Sequence, residues 1–120
     1  MSTRFQSRTK EKVALHFSLE YFTRADEYVV ISLKDYHRKG AFVESRAVMQ
    51  SKGDGQWTCD VEMRDDTRQV DFRCSIENDH RIVVEEQRGF FHHWQRDDAQ
   101  RTEVRLHCYW LEANEHSYIY

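Results

Sequence analysis

From Val13 to Leu19, apolar and polar residues alternate: Val13, Leu15, Phe17 and Leu19 against Ala14, His16 and Ser18. The same period of two recurs three times. Trp57, Cys59, Val61 and Met63 alternate with Thr58, Asp60 and Glu62. Val70, Phe72, Cys74 and Ile76 alternate with Asp71, Arg73, Ser75 and Glu77. Val104, Leu106, Cys108 and Trp110 alternate with Glu103, Arg105, His107 and Tyr109. A strand sends successive side chains to opposite faces, so each run predicts a strand with one dry and one wet face. Such half-wet strands are characteristic of antiparallel sheets. Shorter runs at Tyr28 to Leu33, Ala41 to Met49 and Arg81 to Glu85 predict three more strands.

The separators are turn-like. Ser51 to Gln56 holds an Asp-Gly pair, and Arg64 to Arg68 and Glu77 to His80 are rich in Asp and Asn. About seven strands then fill one domain over residues 1–120, with an ordered core over about 12–111, as an immunoglobulin-like antiparallel β-sandwich; a small barrel is the alternative. Asp97 to Thr102 reads as a helical turn or a loop, and Leu111 to Ser117 as a short helix.

Composition narrows the picture. The 120 residues contain no proline, where about six would be usual, and four glycines against about eight. Linkers and collagen-like segments are therefore absent. With 13% aromatic and 32% charged residues the chain is neither disordered nor apolar enough for a spanning segment. No secretory leader is visible in the polar opening residues. A net charge of -3 with interleaved signs gives no polyanion-binding stripe. Cys59, Cys74 and Cys108 sit at inward strand positions, which reads as three buried thiols in a reducing, cytoplasmic setting; one disulfide plus a free thiol is the alternative. The outward charges Glu62, Asp71, Arg73, Glu77, Glu103 and Arg105 read as solvated sheet surface that guards the strand edges in place of proline.

Candidate chemistry is sparse. His92 and His93 are neighbours on a strand and face opposite ways, so they do not converge on a metal, and no HExxH spacing occurs. No GxSxG elbow, glycine-rich phosphate loop or local cysteine signature is present. The expectation is a non-enzyme without cofactor or metal. Arg88-Gly89-Phe90-Phe91 resembles the start of an RNA-stacking strand, but that fold needs two helices that the pattern lacks, so no nucleic-acid partner is expected. Nor is membrane insertion. The richest cluster runs from Glu85 to Arg96 and sets Phe90, Phe91 and Trp94 beside acids, Arg88 and Gln87. Rings that stack on sugar faces beside hydrogen-bonding acids and arginines suit a glycan; the same residues suit a protein interface. Core packing at one end of the sandwich is the plain structural alternative for each ring.

The centre of the chain resembles a starch-binding module of the carbohydrate-binding family 20 type. The resemblance lies in Trp57 to Met63, Val70 to Ile76 and Ile82 to Glu86. It implies a structural role for Trp57, an aromatic-basic pair at Phe72 and Arg73, and a ligand-contacting acid at Glu85. Val84 stands where that family carries a stacking tryptophan, and Asp35 to Gly40 lacks the family's second one. Tyr36, Arg38 and Trp94 are substitute contacts, and the candidate ligand-binding set is Tyr36, Arg38, Glu85, Arg88, Phe91 and Trp94. Modules of this type sit beside a catalytic domain or act as adaptors. The expected function is therefore non-catalytic binding of an α-glucan or related glycan, with a protein-interaction or assembly module as the alternative.

Overall fold

The structure, a computed structural model, describes residues 12–37, 41–79, 81–85, 92–96, 102–108 and 110. Nine strands form, and there is no helix among the described residues: β1 (Val13–Glu20), β2 (Tyr28–Tyr36), β3 (Phe42–Val48), β4 (Gln50–Gly53), β5 (Gln56–Met63), β6 (Gln69–Asn78), β7 (Arg81–Glu85), β8 (His92–Gln95) and β9 (Glu103–Cys108). They build two sheets, β4-β5-β1-β9 and β3-β2-β6-β7, with β8 paired to the first half of β6. The predicted β-sandwich is thus present, with two short strands, β4 and β8, beyond the seven expected. One pairing departs from the antiparallel expectation: β9 runs parallel to β1, with Ala14 opposite Glu103 and Leu19 opposite Cys108.

The alternation read from the sequence places the core. Val13, Leu15, Phe17 and Leu19 are at most 1% exposed and face Val29, Ile31, Leu33, Val70, Phe72, Cys74 and Ile76 of the second sheet. Phe17 and Phe72 meet edge to face across the two sheets, centroids 4.9 Å apart, a geometry their ring quadrupoles favour. Each such side chain contributes about 1.5–3 kcal/mol on leaving water. Trp57 is buried as well, and its indole N–H donates to the Tyr21 carbonyl at 3.0 Å, which ties the start of β5 to the end of β1.

Turns close where the polar clusters predicted them. Gly53, Asp54 and Gly55 all take positive φ (92°, 55° and 75°) between β4 and β5, and Asp79 (54°) does so between β6 and β7. Glycine has no Cβ to clash there, and Asp, like Asn, tolerates the left-handed region better than most other residues. A second polar junction joins the end of β2 to the connection between β5 and β6. Thr67 Oγ1 donates to Asp35 Oδ1 at 2.7 Å, and Arg64 bridges His37 Nε2 (3.1 Å) and Asp66 Oδ2 (2.9 Å). Because His37 Nε2 accepts, its ring proton belongs on Nδ1, which sits 3.7 Å from Asp35 Oδ1 and 3.8 Å from Asp66 Oδ1. The predicted helical segment 111–117 and residues 97–101 lie outside the described residues.

Candidate functional site

The outer face of the five-stranded sheet is where the residues depart from a plain solvated surface. Two of the charges read as solvated are buried: Glu77 is 3% exposed and Asp71 8%, with Ser75 between them at 7%. β6 is the central strand, flanked by β2 on one side and by β7 and β8 on the other, so its outward positions are hemmed in. Charges so placed must be paired or hydrogen-bonded. Asp71 Oδ1 accepts from Gln69 Nε2 at 2.7 Å and contacts His93 Nδ1 at 2.6 Å. Glu77 Oε2 accepts from the Arg46 guanidinium on β3 and from Ser75 Oγ at 3.3 Å.

Glu77 sits in a concavity of about 500 Å³ lined by Tyr28, Val30, Arg46, Ala47, Val48 and Asp79. The register sets these side by side. Tyr28 lies opposite Glu77, Val30 opposite both Ser75 and Val48, and Ser32 between Arg73 and Arg46. Val30 is 2% exposed although it stands outside the main core, and Val48 is 63% exposed, so the concavity offers apolar surface beside an acid-arginine pair. Farther along the same face, Tyr36 and Phe42 form a tilted ring pair with centroids 5.3 Å apart, and Lys34 Nζ stands 5.2 Å from the Phe42 centroid. Tyr28 and Tyr36 are eight positions apart on β2, a span of roughly 26 Å at strand rise. The arrangement suits an extended ligand with apolar faces and hydrogen-bonding edges.

The sequence-predicted site residues are distributed differently. Tyr36 is on this outer face and half-buried. Trp94 pairs with Val70, in the row of Asp35, so it lies on the opposite face and packs against the core. Glu85 lies opposite Ser75, in the row of Val30. Arg38, Arg88 and Phe91 lie outside the described residues, as does the side chain of Glu85. The structure therefore separates Tyr36 from Trp94. His92 and His93 fall on opposite faces as expected: His92 stacks on Phe72 at 5.2 Å, while His93 meets Asp71.

Tyr28, Val30, Arg46 and Val48 were not singled out from the sequence, and Glu77 was read only as a solvated surface charge. One signal was there: Val29-Val30-Ile31 breaks the alternation of β2 and puts an apolar residue at an outward position. All three cysteines are free, Cys74 and Cys108 buried and Cys59 half-buried. Burial pushes the Cys59 thiol up, helped by the charge of Asp60 and by Cys108, which favours its protonated form. Among the described residues, no group of three or more His, Cys, Asp and Glu side chains is arranged to hold a metal ion.

No protein-family model and no curated protein sequence matches the chain. Its fold is similar to part of a solved structure, the Glycoside Hydrolase Family 15 glucoamylase from Hypocrea jecorina, with a TM-score of 0.65 and 15% sequence identity over 87% of this chain. The chain spans 18% of that glucoamylase, so the likeness concerns a small part of the enzyme and is one of fold.

Proposed function

We propose that the chain is a non-catalytic carbohydrate-binding module that takes an α-glucan or related glycan on the outer face of the five-stranded sheet. The observation that carries this reading is the concavity at Tyr28, Val30, Arg46, Val48 and Glu77, which combines apolar surface with a buried acid-arginine pair. A pyranose has apolar C–H faces and a rim of hydroxyls, and that combination complements both. The Tyr36–Phe42 ring pair on the same face supports a chain-like ligand. The fold likeness to part of a glucoamylase and the resemblance to family 20 modules point the same way. As in those modules, the binding partner of the whole protein would include a catalytic domain or a larger assembly, and the cytoplasm remains the expected setting.

Calorimetric titration with maltoheptaose, glycogen and an unrelated glucan tests the proposal. Binding of at least one α-glucan at millimolar concentration or tighter is expected. Glu77→Gln keeps the shape but removes a charged acceptor, and should weaken that binding about tenfold. No binding to any of the three overturns the reading, and binding that Glu77→Gln leaves unchanged moves the site elsewhere. A second reading, docking of another protein, rests on a separate observation. Ile82, Val83 and Val84 are 58%, 48% and 40% exposed on β7, beside Phe22 at 74%.

A further inference from the structure

We infer that β3 is a self-pairing edge through which two copies of this chain join into one continuous sheet. β3 ends its sheet, and among the described residues it pairs only with β2. Six of its seven residues are exposed, including Phe42 (47%), Val43 (51%) and Val48 (63%). A strand edge of this kind carries unpaired N–H and C=O groups ready for another strand.

The other edges among the described residues are blunted. β8 has only four residues. β4 has four residues and a register shift between Ser51 and Gly53. β7 has a shift at Ile76/Glu77, which inserts Val83 as an extra residue. β9 pairs poorly with itself: a two-fold at Arg105 sets two arginines together, and the favourable register about Val104, Glu103 opposite Arg105, leaves a ladder of only three strand residues. β3 has none of these devices. Its register with β2 is unbroken from Phe42 to Val48, and the chain has no proline anywhere.

The sequence of β3, Phe42-Val43-Glu44-Ser45-Arg46-Ala47-Val48, is complementary to itself about Ser45. Antiparallel pairing around a two-fold at Ser45 sets Glu44 opposite Arg46 of the partner subunit, and Arg46 opposite Glu44 of the partner subunit. Phe42 meets Val48 of the partner subunit on the same face, and Val43 meets Ala47 of the partner subunit on the other. Opposite charges and apolar pairs placed directly across a ladder are the contacts that stabilise antiparallel strands, and like charges there disrupt them. A two-fold contact closes on itself, so the assembly stops at two copies. Arg46 is 58% exposed while it pairs with Glu77, and its five donors leave capacity for a second carboxylate. The pairing does not depend on glycan binding.

Sedimentation velocity of the whole chain in low salt, from about ten micromolar to about one millimolar, tests the inference. The mass should rise toward twice the monomer. Glu44→Arg should weaken the dimer at least about tenfold, because both cross-strand pairs become repulsive. Arg46→Glu should do the same. Mixing the two variants should restore a dimer, now mixed, in which the edge carrying two arginines faces the edge carrying two glutamates. Since Arg46 also neutralises Glu77, Val43→Lys replaces Arg46→Glu if that variant does not fold, and is expected to abolish the dimer. A chain that stays monomeric at the highest concentration overturns the inference. So does a dimer that Glu44→Arg leaves intact.

Discussion

At the scale of single residues, burial overrides polarity where the sheet leaves no room. Asp71 and Glu77 stand at outward positions and are nevertheless 8% and 3% exposed, each held by a donor from a neighbouring strand or position. Alternation reports which face a residue takes but not how deep that face lies. That is why these acids looked solvated in the sequence. Trp94 makes the converse point. Its neighbours in sequence suggested a binding ring, but its place opposite Val70 turns it inward against the core. Trp94→Ala should therefore cost about 3 kcal/mol of stability, read as a lower urea midpoint, while any glucan affinity stays unchanged.

At the scale of elements, the long strands were legible because each carries several alternations of core and solvent. β4 and β8 span four residues each, too short for a period to register. The parallel partnership of β9 was not legible either, since a half-wet strand looks the same in both pairing directions. That partnership brings His16 between two acids on the outer face of the four-stranded sheet. His16 Nδ1 lies 2.8 Å from Asp60 Oδ1 on β5, and Nε2 lies 3.4 Å from Glu103 Oε1 on β9. The Asp60 hydrogen bond, followed by the charges of both acids, raises the His16 pKa above its ordinary 6.5 despite an opposing desolvation. A raised folded value means that the charged ring favours the folded chain. This contribution is complete below 6.5 and is lost as pH climbs through the higher folded value. Melting temperature should fall as pH rises from about 6 to about 8, and His16→Gln should flatten that slope. Both acids are about three-quarters exposed, so added salt should shrink the effect.

At the scale of the whole molecule, the fold was more legible than the site. Strand content and core follow from a local period, whereas the outer-face concavity draws Tyr28, Arg46 and Glu77 from three strands whose alignment depends on register. No local pattern encodes that register. The lack of proline has a kinetic consequence: refolding should show no phase that a prolyl isomerase accelerates, whatever the delay spent unfolded. An accelerated phase in a double-jump experiment would contradict it. The central place of β1 has a consequence of another kind. Its partners lie far along the chain, as the pairs His16–Asp60 and Ser18–His107 show, 44 and 89 residues apart. On a ribosome, this strand leaves the exit tunnel before all of its partners and completes its ladder only when β9 follows. Its row of Val13, Leu15, Phe17 and Leu19 stays incompletely covered until β6 has followed β2 out, and its ladder stays open until β9 arrives, the interval in which a chaperone has most to hold.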